Sequence, residues 1–289
     1  MDYLHSSTPF AFMGSQTDWE DAKVVVLPVP YDSTASYKSG QRHGPNAIID
    51  ASRQLELYDI EFAREISKEL KFHTLSELQC DKSSPKKVID ALQDTVDKIL
   101  EEGKFPLIFG GEHSITTGAV QSAFAHYDDL CVLQIDAHAD MRDEYEGTKY
   151  NHACVMARVR EVVPAVSVGI RSYSVSESKI ISQKYSDMVF GPALDAKIID
   201  KIISRLNKKN VYITIDIDGF DPAIMSATGT PEPGGLGWYD TLSLLKKVCK
   251  EKNVIGADIV ELMPMQGQHS SEFACAKLAY KLAGYALLD

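Results

Sequence analysis

The chain lacks any run approaching the roughly 20 apolar residues that a membrane-spanning helix needs, so no integral membrane segment is expected. Its first residues, MDYLHSSTPFAFMGSQ, lack a basic leader ahead of an apolar stretch, and no secretory signal is expected. Cysteine is sparse. Cys80, Cys131, Cys154, Cys249 and Cys275 form an odd set with no C-x-x-C pair. A reducing cytoplasm is the simplest setting for them. Each thiol reads first as a small buried hydrophobe. Positive charge is short as well: 30 Lys and Arg stand against 41 Asp and Glu, a formal net charge of −11. That balance argues against a nucleic-acid partner, which requires a basic face. It permits a cationic ligand without specifying one. No Gly/Pro/Ser-rich linker, internal repeat or low-complexity tract interrupts the chain. Residues 1–289 therefore read as one domain, long enough to bury most of its apolar surface in a single core.

What the chain does have is alternation. Candidate strands are Val24–Val29, Phe72–Leu75, Pro106–Phe109, Cys131–Ile135, Val166–Ile170, Met188–Phe190, Val211–Ile215 and Ile255–Val260. Candidate helices are Pro45–Arg53, Pro85–Glu102, Ile115–Ala125, His152–Arg160, Ser176–Lys184, Ala193–Leu206, Asp240–Lys250 and Glu272–Ala283. Ser84 before Pro85 reads as an N-cap, and Gly103 suits the other end of that helix. Strands alternating with helices imply crossover units and a mainly parallel sheet. Runs such as VVVLPV and CVLQI are almost continuously apolar, as expected where helices cover both faces. The expected architecture is a three-layer α/β/α fold, with ligands bound outside the carboxyl ends of the strands.

Chemistry concentrates at those ends. The strand CVLQI runs into Asp136-Ala-His138-Ala-Asp140, and VYITI runs into Asp216-Ile-Asp218. Residues two apart on an extended chain share a face. A third strand runs into Gly110-Gly111-Glu112-His113-Ser114, where glycine lets the backbone turn and approach a ligand closely. Each segment alone has an ordinary explanation as a cap, turn or solvated loop. Together they place four carboxylates and two imidazoles at neighbouring strand tips. Asp136, Asp140, Asp216 and Asp218 would repel one another unless cations intervened. An oxygen-rich set with imidazole and no thiolate suits Mn²⁺ better than a structural zinc. Two such ions about 3.5–4 Å apart would hold a water between them as hydroxide near neutral pH.

These segments resemble the ureohydrolases, the arginase and agmatinase family. The hallmark stretches are GGEHS (Gly110–Ser114), DAHAD (Asp136–Asp140) and TIDIDGFDP (Thr214–Pro222). PYDSTASYKSGQRHGP (Pro30–Pro45), ATGTPEPGG (Ala227–Gly235) and GADIVELMP (Gly256–Pro264) look similar too. The likeness runs from about Val24 onward and looks closest to bacterial agmatinases. It implies an eight-stranded, arginase-like sheet and two Mn²⁺ ions. One ion would lie on His113, Asp136, Asp140 and Asp216, the other on Asp136, His138, Asp216 and Asp218, with Asp136 and Asp216 bridging. It implies hydrolysis of a guanidinium to urea and an amine, and a homo-oligomer, a trimer or hexamer.

By the same resemblance Glu261 would pair with the substrate guanidinium in a bidentate way. Asp140 would pass a proton to the leaving amine, and His152 would shuttle protons at the mouth. The loop Met141–Gly147 lacks the polar clamp with which arginases grip an α-carboxylate. Asp143, Glu144 and Glu146 would favour a second cation instead, which points to agmatine; Arg142 could equally hold an anionic group. Arginine or 4-guanidinobutyrate is the alternative substrate. A catalytically silent metal-binding regulator is the remote alternative, since the whole ligand set and Glu261 are present. A single-zinc deacetylase of related fold would need fewer acidic ligands. Tyr31, Asp32 and Tyr37 stand as open candidates for the substrate site, and residues 1–20 as an N-terminal arm.

Overall fold

In the computed structural model, which describes residues 10–288, eight strands pair into one parallel sheet. They are β1 (Val24–Val29), β4 (Phe72–Thr74), β5 (Phe105–Gly110), β6 (Leu130–Ile135), β7 (Ala165–Val168), β8 (Val189–Phe190), β9 (Asn210–Asp216) and β10 (Asn253–Val260). Each of the eight expected strands is present, with ends shifted by at most two residues. A small antiparallel hairpin, β2 (Tyr58–Asp59) with β3 (Arg64–Glu65), was not anticipated from the sequence. Two-residue strands carry too little periodicity to be seen.

The helices are α1 (Gly44–Ser52), α2 (Ser67–Leu70), α3 (Pro85–Glu101), α4 (Thr116–His126), α5 (Val155–Val162), α6 (Val175–Ile180), α7 (Ala196–Arg205), α8 (Trp238–Glu251) and α9 (His269–Leu288). Alternate residues of β1 show why both faces must be covered. Val24 and Val26 enter one buried cluster with Ile48, Ile202, Leu245 and Leu278. Val25 and Leu27 enter another with Leu92, Val96, Val120 and Val159. The sheet is thus the middle of three layers, with α1, α7, α8 and α9 on one side and α3, α4 and α5 on the other. Each fully buried aliphatic side chain contributes roughly 1.5–3 kcal/mol by leaving water.

Helix ends follow local chemistry in part. Gly103 sits at φ +66 beyond α3 and donates to the Leu100 carbonyl, while Lys104 N–H reaches Ile99 O; glycine is needed for this stop. Ser84 occupies the N-cap position, but its side chain makes no capping bond. Ser174 does cap α6, through a reciprocal box with Glu177. The expected helix Ser176–Lys184 is α6 continued by a π-helical turn, Ile181–Tyr185.

Residues 1–9 of the expected N-terminal arm lie outside the described residues. Beyond them, Phe12 is fully buried against Phe72 and Phe109, and Thr17 N–H bonds to Phe72 O. The described part of the segment packs along β4 of its own chain.

The strand order β4-β1-β5-β10-β9-β6-β7-β8 matters most for the site. The chain passes from β5 to β6 and leaves space between them that β9 and β10 later fill. The connections from β5 and β6 therefore diverge, opening a crevice at the carboxyl ends of four central strands.

Candidate metal centre

Each central strand delivers a polar residue to that crevice. Asp136 directly follows β6, Asp216 ends β9, Glu261 directly follows β10, and His113 lies in a single 3₁₀ turn after β5. The turn at β5 is built on a close backbone approach. Gly111 N–H bonds to Val29 O, Glu112 N–H bonds to Tyr31 O, and a Cβ on Gly111 would fall 2.0 Å from the Tyr31 oxygen. Only glycine fits there.

Asp140 and Glu261 both adopt left-handed backbone conformations, φ +50 and +66. Such positions cost about 1–3 kcal/mol each and persist only where surroundings hold them. Here they are held. Glu261 N–H bonds to Gly111 O at 2.7 Å, and Asp140 O accepts from Met156 and Ala157. Glu261 Oε1 in turn accepts the His113 N–H at 2.8 Å.

The side chains converge in two overlapping groups, His113–Asp136–Asp140 and Asp136–His138–Asp218, each with donor atoms within 4.8 Å of one another. His113 Nδ1 lies 3.1, 3.2 and 3.5 Å from oxygens of Asp136, Asp140 and Asp216. His138 Nδ1 lies 2.9 Å from Asp218 Oδ2 and 3.8 Å from Asp136 Oδ1. Asp136 is common to both groups. The six residues expected as ligands thus meet in one place.

Neighbours fix the aim of each ligand. Thr214 Oγ1 gives its only proton to Asp258 Oδ1 at 2.6 Å, so toward His113 Nε2, 2.8 Å away, it must accept. Nε2 therefore carries hydrogen, and Nδ1 is the atom facing the carboxylates. Asp258 is fully buried and also accepts from Tyr212 and Thr116. Gln134 Nε2 donates to Asp136 Oδ2, and Ala137 N–H donates to Asp218 Oδ1. The sequence reading overlooked Gln134 and Thr214, although each stands two residues before a ligand on the same strand face. It overlooked Asp258, a lone acid inside the apolar strand GADIV. Thr214→Val should weaken divalent-metal binding by about 10–100-fold, because it removes the partner that orients His113. A metal titration checks this, and unchanged affinity would contradict the role.

The electrostatics show what the cluster requires. Burial, then the charges of Asp140 and Asp218, push the Asp136 carboxyl up to about 7. Burial with Asp218 and Asp136 holds Asp216 well above the carboxylate range. Burial opposes a proton on His113 and His138, yet the carboxylates crowded against each ring override it. His113 is raised well above its ordinary value, and His138, led by Asp218, to about 11. Left to itself the cluster must retain protons. His113 Nδ1 is buried with no aligned hydrogen-bond partner while facing three carboxylate oxygens. That is the geometry of a metal donor, and two divalent cations would balance the four carboxylates. The donor set fits such ions.

The centre opens into a cavity of about 310 Å³. Glu261, His152, Arg142 and Tyr145 line it with His138, Asp140, Asp216 and Asp218. Glu261 is buried and, through burial and then Glu112, raised to about 8. His152 is held by the loop after β1. Its N–H donates to Thr34 Oγ1 at 3.0 Å, and Ser36 Oγ lies 3.3 Å from its Nε2. Thr34 is itself anchored by Glu112, to which its N–H and hydroxyl both donate at 2.6 Å.

The carboxylates of the Met141–Gly147 loop lie elsewhere. Asp143 pairs with Arg158, and neither it nor Glu144 nor Glu146 lines the cavity. The lining carboxylate outside the ligand set and Glu261 is Glu177, which is buried and accepts from Met141 N–H and from the Ser174 N–H and hydroxyl. Arg142 stacks its guanidinium 4.8 Å over the Tyr145 ring. Tyr31, Asp32 and Tyr37 do not line the cavity; Asp32 instead pairs with Arg42 at 2.6 Å.

Comparison with known proteins agrees with this geometry. A model of the arginase family matches residues 22–284. An N(1)-aminopropylagmatine ureohydrolase from Synechocystis sp. is 42% identical, covering 97% of this chain and 95% of that protein. An agmatinase from Bacillus subtilis is 32% identical, covering 91% of each. The crystal structure of agmatine ureohydrolase from Thermoplasma volcanium superposes with a TM-score of 0.86 at 31% identity, over 98% of this chain and 95% of that one.

Proposed function

The chain belongs to the arginase family and is an agmatinase-like ureohydrolase, and from that premise we propose that it hydrolyses the guanidinium of agmatine to urea and putrescine with two Mn²⁺ ions. The observation that carries this reading is the convergence of His113, Asp136, His138, Asp140, Asp216 and Asp218, the last four of which line one cavity with Glu261. Oxygen-rich donors with two imidazoles support manganese. When bound, the ions supply a water acidic enough to act as a nucleophile near neutral pH.

The chain's own groups do the rest. The Glu261 carboxylate meets the guanidinium N–H pair and orients its carbon toward the ligand cluster. Asp140 Oδ2 takes up the proton of the attacking water and delivers it to the leaving nitrogen. The guanidinium cation and one water become neutral urea and an ammonium, so protons balance. His152, hydrogen-bonded to Thr34 and Ser36 at the mouth, exchanges protons with solvent. Glu177 supplies the negative charge for the substrate's distal ammonium, and Arg142, held over Tyr145, bounds the rim. Glu144, outside the lining, takes no part in this reading.

A second reading is favoured by one observation. The relative at 42% identity is an N(1)-aminopropylagmatine ureohydrolase, whose substrate name indicates the same guanidino end with a longer cationic tail. Five free thiols support a reducing, cytoplasmic setting. A trimeric or hexameric assembly is supported by the family resemblance, and light scattering reads it directly.

The substrate test is urea release by manganese-loaded protein from agmatine, N(1)-aminopropylagmatine, arginine and 4-guanidinobutyrate. One or both of the first two should exceed the carboxylate-bearing pair in kcat/KM by at least about 100-fold, because a like charge against Glu177 costs several kcal/mol. Turnover of arginine without either polyamine substrate would overturn the substrate reading and leave the family intact.

A further inference from the structure

Arg171 follows β7 and belongs to neither donor group, yet its guanidinium bonds the backbone of Asp218, a member of one of them. Among the described residues its guanidinium donates only to backbone carbonyls. Nη2 reaches Asp218 O at 2.8 Å, Glu232 O at 2.9 Å and Phe220 O at 3.4 Å. Nη1 reaches Gly169 O at 3.0 Å and Gly219 O at 3.3 Å, and Nε reaches Pro233 O at 3.2 Å. Its backbone completes the span, since Arg171 N–H and Ser172 N–H both donate to Ala137 O, at 2.9 and 3.0 Å.

One residue therefore ties together three loops, at Ala137, at Asp218–Phe220 and at Glu232–Pro233. Those loops carry His138, Asp218 and Glu232. The His138 ring is bracketed between the other two, with Nδ1 2.9 Å from Asp218 Oδ2 and Nε2 3.7 Å from Glu232 Oε1. A carboxylate behind a histidine ligand fixes the ring's tautomer and direction. The other half of the centre is held by different means. His113 is aimed by Thr214 and Glu261, and Asp140 by the start of α5, with no bond to Arg171.

We propose that Arg171, acting through Asp218 and Glu232, is the positioning residue of the His138–Asp218 half of the centre and leaves the His113–Asp140 half independent. Arginine is required because its planar fork carries five N–H donors in fixed directions; the single ammonium of lysine cannot hold the Asp218–Phe220 and Glu232–Pro233 loops together. The proposal rests on the reading of these two groups as metal ligands, and its test separates the two claims.

Metal-stripped wild type, Arg171→Lys and Arg171→Met are titrated with Mn²⁺ alone, free Mn²⁺ being read by electron paramagnetic resonance. Wild type should bind two ions per chain. Both variants should keep one ion within about 3-fold of wild-type affinity and bind the other about 10–100-fold more weakly, the range for losing a residue that orients ligands. Lysine should not restore it. A merely structural role would lower the melting temperature and leave both affinities unchanged or weaken both alike; either pattern overturns the proposal. Glu232→Gln leaves the backbone clamp whole and should weaken the same ion several-fold. Unchanged affinity in that variant overturns the proposal by itself, whether or not the Arg171 variants fold. Wild type binding fewer than two ions overturns the ligand reading together with the inference, whereas two tight ions in every protein overturn the inference alone.

Discussion

Glu261→Gln should keep both metal ions and lose its chemistry, with kcat falling by roughly 10²–10³-fold, the usual cost of removing one electrostatic contact made at the reacting centre. The backbone there is held at φ +66 by the Glu261 N–H bond to Gly111 O, and a glutamine of the same shape can occupy it. The remaining side-chain oxygen can still accept the His113 N–H, so the ligand cluster keeps its geometry. What changes is the face toward the substrate. A carboxylate offers acceptors to two guanidinium N–H groups, whereas the amide turns one of them into a donor. Two donors then oppose each other in a buried cavity. Burial holds the Glu261 carboxyl up at about 8 in the protein alone, so it is ionised most readily when cations share the site. Bound manganese and urea release, measured on the same preparation, decide the point. Retained turnover would remove Glu261 from the substrate site.

Asp136→Asn should instead empty the site. Asp136 belongs to both donor groups, and its carboxylate is already oriented by His138 N–H at 2.6 Å and Gln134 Nε2 at 2.7 Å. Asparagine keeps the size but removes a negative charge shared by two ions. It also turns one oxygen, placed to accept, into a nitrogen that can only donate. Loss of a residue that merely orients a ligand costs about 10–100-fold in metal affinity, so loss of a shared ligand should cost more than about 100-fold at both positions. Elemental analysis after gel filtration reads this directly. Full occupancy in the variant would contradict the ligand assignment.

The two experiments probe features of very different legibility. The strands were readable because a parallel sheet covered on both faces writes long apolar runs, such as VVVLPV and CVLQI, bounded by polar residues. The ligands were readable because Asp136, His138, Asp216 and Asp218 follow those runs at a spacing of two, which an extended chain converts into a shared face. Thr214 and Asp258 were not, because an isolated threonine or aspartate says nothing until the fold places it against His113. Arg171 was hidden for the same reason. Its partners are carbonyls from loops about 50 and 60 residues away, and backbone atoms carry no sequence signal.

The acidic loop is less legible. Asp143, Glu144 and Glu146 look like a cation site by composition, but none of them is among the residues lining the cavity, whereas Arg142 and Tyr145 of the same loop are. Glu177, the lining carboxylate outside the ligand set and Glu261, carries no such signal in the sequence: it completes the capping box of α6 with Ser174, and the fold brings that helix end to the cavity wall.

The central claim is that the paired carboxylate and imidazole groups hold two metal ions that hydrolysis requires. Metal-stripped protein should release no urea from agmatine or N(1)-aminopropylagmatine, and stepwise addition of Mn²⁺ should restore release until two ions are bound per chain. Full urea release from protein kept in chelator, or saturation of activity at a single bound ion, would contradict the account.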